Sequence, residues 1–179
     1  RRSAVEVEGA ADAGVPALGY VAEYGDLYAA LAARLVECGA SVLTGARVTG
    51  VQTTSGYGAV GFQRNGTDHL LTANLVVLSE GGKSLPADLR QDKDYGQSAV
   101  VCTVSTERPH SRRAYERFTP EGPIALLPLG NDYALVWTTP NDQVAARLAL
   151  SDADFLAQLQ AAFGDRQGRF VATGPRSAF

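Results

Sequence analysis

The chain has no methionine, one tryptophan, two histidines and two cysteines among its 179 residues. Two cysteines cannot build a disulfide framework, and Cys38 and Cys102 lie too far apart in sequence for a metal-ligand spacing. Both are expected to be buried, reduced thiols, as unpaired cysteines usually are. His69 and His110 have no acidic or cysteine neighbour at ligand spacing, so no metal site is expected. Read as loop residues, the same two histidines assemble no Ser/His/Asp or Cys/His centre, which disfavours a hydrolase. A basic stripe is also lacking. The formal net charge is −3 and the Lys and Arg residues are scattered, so nucleic acid is not an expected partner. No apolar run approaches the ~20 residues of a membrane span and nothing resembles a signal peptide, so the chain reads as cytoplasmic. Internal repeats and low-complexity segments are missing too. Without methionine, Arg1 is not an initiator, and the expectation is a piece cut from something longer.

What is present is the balance of an ordinary globular protein, 45% hydrophobic against 20% charged, long enough for one or two cores. Val5 and Val7 alternate with Glu6 and Glu8, which predicts a strand over 1–8, and the Ala/Gly/Pro-rich stretch 9–18 suits a loop. Asp26 as N-cap, Leu27, Leu31 and Leu35 at intervals of four, and Gly39 as stop signal predict an amphipathic helix over 26–38. A short apolar strand over 40–43 follows. Next come three β segments, 47–54, 58–64 and 69–72, with Asn65-Gly66 as a hairpin turn.

The run Leu75-Val76-Val77-Leu78 predicts a strand buried on both faces, as in a parallel sheet, giving onto the tight turn Ser79-Glu80-Gly81-Gly82. Residues 88–97 read as a loop or irregular helix. Four strand-like runs follow, 98–106, 112–118, 124–129 and 133–138, with short turn-rich links that predict antiparallel pairing. Ser151 with Asp154 three residues on looks like a capping box. It opens a helix over 151–163 with Phe155, Leu159 and Phe163 on one face and Gly164 as its stop, and 169–172 is expected to be a closing strand.

Two glycine patterns need separating. Gly56-Tyr57-Gly58-Ala59-Val60-Gly61 matches GxGxxG, but it sits between two meander strands with no helix behind it, so its glycines are expected to serve a hairpin or bulge. The second pattern, Leu75 through Ser84, resembles the acid-glycine motif of flavoprotein aromatic hydroxylases, with Glu80 where the usual acid is Asp. A carboxylate at a strand end accepts hydrogen bonds from a cofactor or loop, and Gly81 lets the backbone come close to a dinucleotide.

The stretch Tyr115 through Leu129, reading YERFTPEGPIALLPL, is similar to the corresponding part of the 2-octaprenyl-6-methoxyphenol hydroxylase family. Residues 133–137, 150–164 and 174–179 continue the resemblance in the same order, and 19–31 with the acid-glycine motif extend it. The chain is thereby identified as a central fragment of a p-hydroxybenzoate-hydroxylase-like protein. The resemblance implies FAD, reduced by NADH or NADPH, and transfer of an OH group to a polyprenyl phenol in ubiquinone biosynthesis. It also implies an association of the whole protein with the inner-membrane surface or a ubiquinone-synthesis complex. The glycine fingerprint and the Gly-Asp flavin segment of such proteins are not in this sequence, so the fragment is expected to be inactive and to bind FAD poorly by itself.

The architecture expected is α+β. Residues 1–20 would return a strand and loop to the substrate sheet, 21–90 would form a partial α/β FAD-binding lobe, and 91–179 would form an antiparallel substrate-binding sheet backed by helices. Glu80, Gly81 and Arg117 are the candidates for cofactor contact, and Phe118, Ile124, Leu126, Leu127 and Trp137 for substrate contact; no catalytic residue is assigned. Alternation puts Ile124, Leu126 and Pro128 on one face of their strand and Ala125, Leu127 and Leu129 on the other, without saying which face meets the ligand. Unpaired edges would suit a homodimer. The competing reading is a non-catalytic α+β binding module for an apolar ligand or a protein partner.

Overall fold

The computed structural model describes residues 14–81 and 93–179. The strand expected over 1–8 therefore lies outside the described residues, as do the last three residues of the acid-glycine motif, Gly82, Lys83 and Ser84. The described residues form two compact units, one combining those up to Leu27 with Tyr95–Phe179, the other formed by those between Tyr28 and Asp94.

Helix α1 spans Tyr24–Glu37, so the unit boundary falls inside it. It starts two residues before the expected cap. Asp26 consequently sits in the first turn, where its charge complements the helix dipole, rather than capping it. The C-terminal end is as the sequence suggests: Gly39 takes the left-handed conformation (φ 67°), and the amides of Gly39 and Ala40 bond back to Val36 and Leu35. No residue of α1 is buried. Cys38, immediately after it, is accordingly exposed, whereas Cys102 is half-buried; the expectation of two buried thiols holds for neither. The strand expected over 40–43 does not form. Val42 and Leu43 are exposed, and among the described residues no strand pairs with them.

Three antiparallel strands follow in the order β1 (Ala46–Thr53), β2 (Gly58–Arg64) and β3 (Thr67–Ala73). Asn65 and Gly66 both have positive φ (52° and 77°), which is what a two-residue hairpin between right-twisted strands requires. His69 lies within β3, not in a loop, directly opposite Phe62 and stacked on it at 5.1 Å. The GxGxxG segment serves a hairpin, as expected, in which the Thr54 amide and hydroxyl both bond to the Tyr57 carbonyl. Gly58 opens β2 under Val76, with no room for a Cβ. The run Leu75–Leu78 is not the doubly buried strand expected. It joins no ladder among the described residues; Val76 packs on Gly58, while Leu75 and Val77 stand 76% and 75% exposed.

The other unit is built on one antiparallel sheet. Its strands are β4 (Gln97–Thr106), β5 (Tyr115–Thr119), β6 (Gly122–Leu129), β7 (Asp132–Pro140), β8 (Phe170–Thr173) and β9 (Ser177–Ala178), ordered β5-β6-β7-β4-β8 with β9 also on β4. β5 begins three residues later than expected because Ser111 and Arg112 are left-handed (φ 50° and 59°), which no strand accommodates. After a 3-10 turn over Asn141–Gln143, two α-helices lie between β7 and β8: the short α2 (Val144–Leu148), which the sequence did not announce, and α3 (Asp152–Phe163). Ser151 caps α3 as expected, accepting from the Asp154 amide at 3.1 Å while donating to the Asp154 carboxylate at 2.6 Å. Phe155, Leu159 and Phe163 are all buried. They close a core with Val100, Val104, Ile124, Leu126, Tyr133, Leu135, Trp137 and Phe170. Antiparallel sheets with few helices make the chain α+β.

Candidate functional site

Strand alternation and register sort the large sheet into two unlike faces. Ile124 pairs with Trp137, Leu126 with Leu135, and Val100 with Trp137 on its other side; these residues point at α3 and are buried. One residue along each strand the picture reverses. Phe118 lies opposite Pro123, Ala125 opposite Val136, Val136 opposite Val101, and Leu127 opposite Ala134. This second face is apolar at its centre, with Ala99, Val101, Ala125, Leu127, Ala134 and Val136, yet none of its residues is buried. Alanines alternate with the larger side chains at its centre, and Glu116, Thr103, Ser105, Asp132 and Thr138 stand around it.

The sequence candidates divide between the faces. Ile124 and Leu126 are completely covered, and Trp137 nearly so, tilted against Phe155 at 5.6 Å. Leu127 and Phe118 lie on the open face, Leu127 half-buried and Phe118 79% exposed on the edge strand β5. Arg117 is occupied: its guanidinium donates to the Phe163 carbonyl, one of the last acceptors of α3 that has no partner within the helix. Arg117, Phe118 and Trp137 do meet at a cavity of about 520 Å³ at the sheet edge, together with Glu121 and Arg147.

Arg147, on α2, was missed by the sequence reading because the helix that carries it was not foreseen. It lies over the Trp137 ring, 4.0 Å from the centroid, and donates to Thr139 Oγ1 at 2.5 Å and Glu121 Oε2 at 3.2 Å. Both arginines of this cavity are thus committed to the protein, and the cavity offers no uncommitted cation. Glu80 and Gly81 belong to the smaller unit. Gly81 has φ 82° and open space at its Cα, so a ligand can approach the backbone there, and Glu80 supplies the acid beside it.

The titrating groups say what this arrangement does not do. Burial pushes the Cys102 thiol above its ordinary value, which keeps it protonated and a poor nucleophile. Tyr133 is pushed up to about 12, mainly by burial and secondarily by Tyr115. Glu107 is held below the usual carboxylate range by the Arg169 backbone amide and side chain. None of these moves toward neutrality, so among the described residues the shifts reveal no proton-transfer group. The open face presents apolar side chains of the kind that line sites for flat apolar molecules.

No family model matches the chain. Two curated relatives are the ubiquinone hydroxylase UbiL of Rhodospirillum rubrum, 41% identical over 112 residues, and the ubiquinone biosynthesis monooxygenase COQ6 of Dictyostelium discoideum, 33% identical over 114 residues. These alignments cover 60% and 54% of this chain but 26% and 23% of the relatives, so the chain spans about a quarter of each. The fold is shared with a flavoprotein/dehydrogenase from Cytophaga hutchinsonii (TM-score 0.65, 13% identity), covering 90% of this chain and 42% of that one. It is shared also with the flavin-dependent halogenase CmlS (TM-score 0.60, 14% identity), with 86% and 30% covered.

Proposed function

We propose, proceeding from this kinship to ubiquinone-biosynthesis hydroxylases, that the chain is the substrate-facing part of an FAD-dependent monooxygenase acting on a polyprenyl phenol. The observation that carries the reading is the uncovered apolar face of the large sheet. FAD, reduced by NADH or NADPH, would supply the oxygen-transfer chemistry when bound in the whole protein. This chain's own part is to hold the ring and exclude water. Ala125, Leu127, Val136 and Phe118 would form the wall, while Ile124, Leu126 and Trp137 fix that wall from behind by packing under α3. Glu80 and Gly81 would contribute acid and close backbone to the cofactor. Arg117 would act indirectly, by fixing the end of α3. Such a substrate resides in a bilayer, so the whole protein would work at a membrane surface, alone or in a ubiquinone-synthesis complex; among the described residues no helix is long and apolar enough to cross one.

The test is titration with FAD and with a short-chain prenyl phenol, followed by absorbance and tryptophan fluorescence, on this chain and on a longer polypeptide extended at both ends. FAD should bind only to the longer polypeptide, and Leu127→Glu or Val136→Glu should weaken phenol binding about tenfold or more without unfolding the sheet. If the longer polypeptide takes up no flavin, the enzyme reading fails and a binding module for apolar ligands is the better account.

A further inference from the structure

The scatter of arginines along the sequence does not survive folding. The link between β4 and β5 (residues 107–114) and the link between α3 and β8 (residues 164–169) are bound to each other at one end of the large sheet. The Glu107 amide donates to the Arg169 carbonyl at 3.0 Å and the Arg108 amide to the Gln167 carbonyl at 3.2 Å. The Glu107 carboxylate accepts from Arg169 N at 2.8 Å and Nε at 2.6 Å. Gln160 holds the second link by donating to the carbonyls of Gly164 and Gly168. His110 braces the first, its Nδ1 accepting from the Arg112 amide and its Nε2 bonding the Gly130 carbonyl, each at 2.9 Å.

This joined platform carries five exposed arginines, Arg108, Arg112, Arg113, Arg166 and Arg169, against two carboxylates. Glu107 is taken by Arg169 and Asp165 accepts from Gln160. Neither link exposes a large apolar side chain, so the platform lacks the apolar centre of a protein interface. None of the five arginines lines the cavity at Arg117 and Trp137 or the one beside Leu129 and Asp132, so neither of these offers those arginines to a single free phosphate or nucleotide. Exposed cations spread over two links bonded to each other, outside both of those cavities and without an apolar anchor, match an array of phosphate groups.

We propose that this platform docks the chain on anionic lipid headgroups. The proposal rests on the prenyl-phenol reading only for its purpose, delivery of a membrane-borne substrate, and its test uses neither flavin nor activity. This chain is sedimented with phosphatidylcholine vesicles, with vesicles containing a third phosphatidylglycerol, and with the latter in 0.5 M salt. Binding should require the anionic lipid and disappear in high salt, where the screening length is only a few ångströms. A variant with R108S, R112S and R166S, which also gives up the Arg108 bond to the Arg166 carbonyl and the Arg166 contact with the Tyr115 ring, should partition about tenfold or more less. The corresponding triple lysine variant should restore most of the binding, which a merely unfolded platform would not. Equal binding to neutral vesicles, undiminished binding by the serine variant, or preference for polyglutamate over vesicles would overturn the proposal, the last in favour of an acidic protein partner. Loss of vesicle binding leaves the flavin reading standing, and failure of flavin uptake leaves this one.

Discussion

Tyr133 is the residue whose environment is least satisfied. Its side chain is fully buried between the rings of His110 and Tyr115, and its hydroxyl has no hydrogen-bond partner among the described residues. A buried hydroxyl without a partner costs about 1–3 kcal/mol, so Tyr133→Phe should stabilise the chain by about 1 kcal/mol and raise its melting temperature by about 2–4 °C. The pH dependence has a definite sign. The folded pKa of about 12 lies above the ordinary 10, so stability is complete below pH 10 and is lost as pH rises toward 12, because the unfolded chain releases this proton first. Thermal melts of both proteins between pH 8 and 12 check this, and an unchanged alkaline loss in the Phe variant would contradict it. The neighbourhood also shows what residue-level reading reaches. The Ser151–Asp154 cap and the Asn65-Gly66 turn were legible because their chemistry is complete within four residues. Arg117 was not, because an arginine among aromatics reads the same whether it meets a ligand or the Phe163 carbonyl, 46 residues away.

At the scale of elements, β6 is the informative strand. Alternation divided it correctly into two sets, but only α3, which arrives more than twenty residues later, decides which set is covered. The outcome is testable with near-identical chemistry at adjacent positions. Leu126→Ala empties a completely buried site under α3 and should cost about 2–5 kcal/mol, whereas Leu127→Ala on the open face should cost under about 1 kcal/mol. Denaturant melts of the two variants decide it; equal losses would mean that the second face is covered as well. The misread elements share a cause. The runs 40–43 and 75–78 have strand composition, but a strand is defined by its partner, and none pairs with them among the described residues. β9 is two residues long and exists only because Val100 and Val101 are there to receive it. The arginine platform was hidden for the same reason, since Arg108 and Arg166 are 58 positions apart and meet only through the links that bind them.

For the molecule as a whole, the decisive quantity is apolar surface left uncovered. Leu27, Leu31 and Leu35 were placed on one face of α1 by their spacing, and the structure leaves all three exposed. Spacing predicts that residues share a face; it does not supply the surface that covers the face. Leu70 and Leu71 of β3 and Leu75 beyond it are exposed too. A closed binding module would bury such residues, whereas part of a larger catalytic protein leaves them bare when isolated. The chain should therefore bind an anilinonaphthalene-type dye in its native state. Leu31→Glu with Leu35→Glu should lower that fluorescence by roughly half, and should move the melting temperature by no more than about 2 °C because these side chains lose little contact. A native chain that leaves the dye dark would favour the closed module, and a large drop in melting temperature would mean that the α1 face is packed in solution.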